Sequence, residues 1–140
     1  MTLLKSLTLA ITLATGGAAF AEPLTLTVET TASTGTLRVA VFGSQEGFAQ
    51  DRPVVGATAP AGEGNTVLSI DTLEPGTYGV ALFHDLNGNE KLDRNLLGAP
   101  NEPFGFSNNP KIGFSAPEFD AFKFDFDGSA TELNITLNGG

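Results

Sequence analysis

Three features of the sequence predict an all-β fold: a two-sheet antiparallel sandwich of about seven strands with one long ordered loop. Short segments alternate apolar and polar residues with a period of two. Gly, Pro and Asn/Asp turn signals divide them. Beyond residue 21 no apolar stripe recurs at the 3.6-residue period of a helix. Short strands broken by such turns are how a two-sheet sandwich looks in sequence.

The first strand is Leu24, Leu26 and Val28 alternating with Thr25, Thr27 and Glu29, which gives one buried face. After a Ser33-Thr34-Gly35 turn, Leu37, Val39 and Val41 face one way and Arg38, Ala40 and Phe42 the other. Residues 43–65 are rich in Gly, Pro, Ala and charge, and read as a long connection in which only Pro53-Val54-Val55 is strand-like. Thr66 to Asp71 forms a short strand. Pro75-Gly76 then makes a turn, Pro presetting φ and Gly supplying a positive φ. It launches the strongest strand, Tyr78 to Asp85, which is apolar on both faces and therefore expected at the centre of a sheet covered on both sides. Residues 86–120 show neither periodicity. Phe122, Phe124 and Phe126 alternate with Lys123, Asp125 and Asp127, and an Asp127-Gly128 turn leads to a last strand carrying Leu133, Ile135 and Leu137. The expected core is Leu37, Val39, Val41, Val80, Leu82, Leu133 and Ile135.

The amino terminus has the order of a signal peptide: Lys5, the apolar run Leu7 to Ala14, then small residues ending Ala19-Phe20-Ala21. Cleavage after Ala21 leaves residues 22–140 as a single domain, periplasmic or secreted. A membrane-spanning helix needs about 20 predominantly apolar residues, and Thr12, Thr15, Gly16 and Gly17 break this run early. No membrane span is expected after cleavage. With no cysteine, the core must hold without disulfides, and thiol chemistry is excluded. Removing Lys5 from the formal net charge of −9 leaves −10 on the mature chain. That balance disfavours nucleic acid as a partner and favours solubility and cation binding.

The sharpest local feature is Asp85-Leu86-Asn87-Gly88-Asn89-Glu90-Lys91-Leu92-Asp93. Side-chain oxygens of Asp85, Asn87, Asn89 and Asp93, with the Lys91 carbonyl, have the alternate spacing of a calcium loop, because a hard cation takes six to eight oxygens from a tightly wound backbone. Glu90 stands where such loops carry Gly, and Leu96 where an EF-hand has its bidentate Glu. A weak extracellular site is therefore expected, on the order of 10⁻⁴ to 10⁻³ M; the alternative is a polar Asn87-Gly88 turn.

His84 is the only histidine, so it alone could serve a Ser-His-Asp triad or a histidine metal site. Adjacent strand residues face opposite ways, so Asp85 cannot readily orient it. A rim histidine hydrogen-bonded to a neighbouring loop is the simpler expectation. Seven of the eleven phenylalanines fall between residues 104 and 126, and that much apolar surface must either close the core or line a groove. The candidate ligand-binding residues are His84, Phe104, Phe106 and Asn108. No complete catalytic set is present, which points to a non-enzymatic binding or structural module whose partner is an envelope protein or a glycan. The enzymatic alternative is a glycan hydrolase drawing paired carboxylates from Asp85, Asp93 and Glu102. A carbohydrate-binding platform is disfavoured because the chain has no Trp and a single Tyr.

The order Leu73-Glu74-Pro75-Gly76-Thr77-Tyr78, Phe83-His84-Asp85, Asn87-Gly88-Asn89, Lys91-Leu92-Asp93, Leu97-Gly98-Ala99-Pro100, Glu102 and Phe104-Gly105-Phe106-Ser107-Asn108 resembles the bacterial exported family called domain of unknown function 2141. The resemblance runs from about Leu37 to Leu137. It implies a small exported protein of Gram-negative type with an immunoglobulin-like or transthyretin-like sandwich, and supplies no substrate or catalytic residues. It also implies Gly at the position of Glu90.

Overall fold

The computed structural model describes residues 21–139; the expected signal peptide, residues 1–21, lies outside the described residues except for Ala21. Eight strands and two short helices follow in the order β1 (Leu24–Thr30), β2 (Thr36–Phe42), α1 (Gln45–Ala49), β3 (Val55–Pro60), β4 (Gly64–Ile70), β5 (Gly76–Asp85), β6 (Phe104–Phe106), α2 (Phe119–Phe122), β7 (Lys123–Phe126) and β8 (Thr131–Ile135). They form a three-stranded sheet ordered β4-β1-β8 and a five-stranded sheet ordered β3-β2-β5-β6, with β7 also paired to β5. Among the described residues no helix is long and apolar enough to cross a membrane.

The period-two pattern places the core between the two sheets. Leu24, Leu26 and Val28 of β1 and Leu37, Val39 and Val41 of β2 are buried there, with Val80 and Leu82 of β5 and Ile135 of β8. Leu133 departs from the expected core: it is only half-buried, because β8 is an edge strand. All strand pairs are antiparallel except β1 with β8, which run parallel, Leu24 opposite Thr131 through Val28 opposite Ile135.

β5 is central, as its two apolar faces require. One edge pairs with β2 from Gly79 to Asp85; the other is shared, Gly76–Gly79 with β7 and Ala81–Phe83 with β6. On the outward face a second apolar cluster forms from Phe42, Phe106, Phe119 and Phe122. Gly79 permits it: a Cβ there would lie 2.5 Å from Phe122 Cε2 and 2.9 Å from Phe119 Cε2, so only glycine lets the rings rest on the strand. Ser107 ties the cluster down. Its buried hydroxyl accepts from the Val80 N–H at 2.9 Å and donates to the Phe122 carbonyl.

The elements that the sequence reading passes over are short or irregular. Residues 43–65 are not a bare connection. They hold α1, capped by Ser44 Oγ accepting from the Gly47 N–H at 2.9 Å, and the edge strand β3, in which half-buried Val55, Ala57 and Ala59 alternate with exposed Gly56, Thr58 and Pro60. Its small side chains hide the period, and its closing proline is tolerated at a sheet edge. Residues 86–120 contain β6, three residues long and too short to show alternation, and the start of α2.

Candidate functional site

The outward face of β2 and β5 is the floor of a cleft of about 550 Å³, within the size range of small-molecule sites. Ala40 and Ala81 are direct cross-strand partners at its centre. Two methyl side chains in the middle of a strand pair leave a trough, and Phe42, Phe48, Phe83, Phe104 and Phe106 surround it. Phe48 and Phe42 meet edge-on at 5.3 Å, and Phe104 and Phe106 at 6.1 Å, so the aromatic walls brace one another. At the far end the wall is Glu90, Lys91 and Leu92 of the Asp85–Asp93 loop, with Arg94 beyond it. Cleft and loop are one neighbourhood.

The loop is organised by two carboxylates that have no exposure to spare. Asp85 ends β5 on the outward face and is closed to solvent. Its Oδ2 accepts from Arg38 Nε at 2.7 Å and the Glu90 N–H at 2.9 Å, and its Oδ1 from the Gly88 N–H at 2.9 Å. Burial pushes this carboxyl up, but the Arg38 hydrogen bond, the two backbone N–H groups and the Arg38 charge together outweigh it and hold Asp85 below the usual carboxylate range. Glu102, also buried, accepts from the Leu86 N–H at 3.1 Å and the Asp93 N–H at 3.2 Å, pinning both ends of the loop. Between these anchors the Asn87 and Asn89 side-chain oxygens accept the N–H groups of Asn89 and Lys91. Their amide nitrogens donate to the two oxygens of Asp93 at 2.5 Å and 2.7 Å.

The backbone at Glu90 has φ 66°, the left-handed region that favours glycine. A non-glycine residue there costs about 1–2 kcal/mol, part of which glycine's greater freedom in the unfolded chain offsets. Glu90→Gly is expected to raise the unfolding free energy by about 0.5–1 kcal/mol in urea titrations. An unchanged or lowered midpoint would mean the turn carries no strain.

The candidate ligand residues separate. Phe104 and Phe106 line the cleft. His84 does not: it points between the sheets opposite Leu37, fully buried. The loop contact expected of it is present, since its Nε2 lies 2.6 Å from the Thr34 carbonyl and must carry the donated proton. Its Nδ1 is buried without a partner. Asn108 has φ 64° and donates to the Lys123 carbonyl at 2.7 Å. Asn109 beside it, φ 46°, donates to the Asn134 carbonyl and accepts the Thr136 N–H, tying the loop to β8. Of the expected calcium ligands, Asn87 and Asn89 converge on Asp93, whereas the Asp85 carboxylate is taken by Arg38 and the Gly88 and Glu90 N–H groups.

Three residues of the site escape sequence reasoning: Arg38 balances Asp85 from 47 positions away, and Ala40 and Ala81 make the trough. Only Arg38 left a signal, a charge in the middle of a strand with apolar neighbours. Glu102, expected as a carboxylate that a hydrolase could use, is instead the anchor of the loop.

A family model described as "Uncharacterized protein conserved in bacteria (DUF2141)" matches residues 27–134. The chain belongs to this family. No curated protein and no solved structure matches it. The span matched to DUF2141 contains the whole Asp85–Asp93 loop, both anchoring carboxylates and every residue lining the cleft.

Proposed function

We propose that this protein is an exported, non-enzymatic binding module, and that its ligand lies in the cleft over Ala40 and Ala81. The observation that carries this reading is a trough of about 550 Å³ walled by aromatic rings on the outward face of the larger sheet, away from the core between the two sheets. The carboxylates that a glycan hydrolase would use are engaged elsewhere: Asp85 by Arg38 and two N–H groups, Glu102 by two N–H groups, Asp93 by two amides. A general acid or base must reach substrate, and these three hold a loop. Export rests on the amino-terminal segment and places the ligand in the periplasm or outside the cell, a free small molecule or part of an envelope protein or glycan.

Filling the trough tests the reading. Ala81→Leu is expected to abolish saturable binding of apolar probes while leaving the melting temperature within a few degrees of the parent, since Ala81 is half-buried and faces the cleft. Equal binding by parent and variant would place the ligand elsewhere, and turnover of a hydrolase substrate panel would replace the binding reading with an enzymatic one.

Calcium at the loop is a second reading, favoured by the convergence of the Asn87 and Asn89 side-chain amides on the Asp93 carboxylate. A cation would exchange the two amide donors on Asp93 for itself and draw on the Lys91 carbonyl. Asp85 already carries Arg38, so the site has one uncompensated charge and belongs to the weak range. Several millimolar calcium should then stabilise the fold by about 1–2 kcal/mol, seen as a melting shift larger than magnesium gives and lost in Asp93→Ala. Absence of both heat and melting shift would make the loop a polar turn.

A further inference from the structure

The distribution of charge around the cleft opposes that of the whole chain. The protein has sixteen acidic residues and seven Lys and Arg. Of these, three bases, Arg38, Lys91 and Arg94, line the cleft, against two acids, Asp51 and Glu90. A random draw from so acidic a chain would give the reverse. The charges are also sorted by end. β2 runs from Thr36, opposite Asp85, to Phe42, opposite Gly79. Lys91 and Arg94 belong to the loop that follows Asp85, whereas Asp51 follows α1, beyond Phe42. Arg38 at the loop end is balanced by Asp85 at 2.7 Å, with Glu90 at 3.7 Å. Lys91 and Arg94 form no ion pair among the described residues, and Arg94 donates only to the Gly98 carbonyl at 3.0 Å. The trough thus has an aromatic body and, at one end, two cations without counter-ions.

Resting on the cleft as the binding site, we propose that its ligand is a single-chain amphiphilic anion. Its carboxylate or similar headgroup pairs with Lys91 and Arg94, and its apolar chain lies along Ala40, Ala81, Phe104 and Phe106. An apolar trough with a few convergent polar groups at one end orients such a molecule: burial supplies affinity along the chain and the charges fix its direction. In an acidic protein, cations at one place also draw an anion there against the general field. A cationic amphiphile meets the opposite condition, its headgroup set against Lys91 and Arg94 whenever its chain enters from the loop end.

Decanoate, decanol and decylamine, each kept below its aggregation limit and titrated by calorimetry into the chain from Glu22 onward, test this. They share one chain and differ only in headgroup charge. Exposed charge pairs are weak, so decanoate is expected to bind about three- to tenfold more tightly than decanol at low salt. Decylamine should be weakest. The preference should shrink as salt rises, because the headgroup pairs are solvent-exposed. In the double variant Lys91→Gln, Arg94→Gln the decanoate affinity should fall to that of decanol, and Ala81→Leu should remove binding of both. If decanol binds as tightly as decanoate, or the double variant keeps the preference, the anionic assignment is overturned while the cleft remains a binding site. If none of the three binds, the cleft reading falls with it.

Discussion

Replacing Phe122 by alanine is expected to lower the unfolding free energy by about 3–5 kcal/mol, through lost burial and the cavity left behind. The ring is fully buried and sits within 4.9 Å of Phe48, 5.0 Å of Phe106 and 5.5 Å of Phe119, centroid to centroid. It lies on Gly79, whose missing side chain is the space it occupies. Removing it uncovers the outward face of β5, the strand to which β2, β6 and β7 all pair. Phe114 is the control. It is wholly exposed, and Phe114→Ala should change stability by less than about 0.5 kcal/mol. Urea midpoints for the two variants at equal slope decide the matter, and similar losses would mean that the second cluster is not a core.

Arg38→Met should cost about 2–3 kcal/mol at neutral pH. Methionine keeps much of the stem's packing but leaves Asp85 closed to water without its counter-charge. Unpairing a buried ion costs up to about 5 kcal/mol; the lower figure reflects a carboxylate covered by one thin loop and still held by the Gly88 and Glu90 N–H groups. The pH dependence has a definite sign. Asp85 is held below its unfolded value, so its contribution is present above the unfolded carboxylate range near 4 and is lost as pH falls through the lower, folded value. The parent protein should therefore lose stability on acidification below about pH 4. In Arg38→Met that loss should shrink, because burial, which pushes the carboxyl up, is no longer outweighed by Arg38. Some slope will remain from Asp127, whose carboxyl the Ser129 hydroxyl and N–H hold low. Equal acid slopes in parent and variant would show that Arg38 does not govern Asp85.

What could be read from the sequence follows from how far each cause acts along the chain. β1, β2, β5 and β8 each carry a period-two pattern over five or more residues, and burial against the opposite sheet enforces it, so Leu24, Val39 or Val80 announce their position. β3, β6 and α1 do not. Gly56, Ala57 and Ala59 have too little side chain to mark a face, Phe104–Phe106 is shorter than two periods, and five residues make little more than one turn of α1. The parallel pairing of β1 with β8 depends on residues more than a hundred positions apart and has no local trace. The same division runs through the site. The Asp85–Asp93 loop is contiguous and was legible as a unit, as was the aromatic stretch that supplies Phe104 and Phe106. The cleft itself was not, because its defining feature is Ala40 opposite Ala81, two unremarkable residues brought together by register. His84 shares the inward face of Val80 and Leu82, so the period-two rule that places those two in the core also turns its side chain between the sheets and away from the cleft.

The central claim, that the outward face of the larger sheet is a binding surface, is most directly tested by chemical-shift mapping of the protein as decanoate is titrated in. Saturable shifts are expected for the methyl groups of Ala40 and Ala81 and the amides of Lys91 and Phe104, with Thr25, Thr27 and Val67 on the exposed face of the smaller sheet unmoved. Shifts confined to that smaller sheet, or none that saturate, would contradict the account.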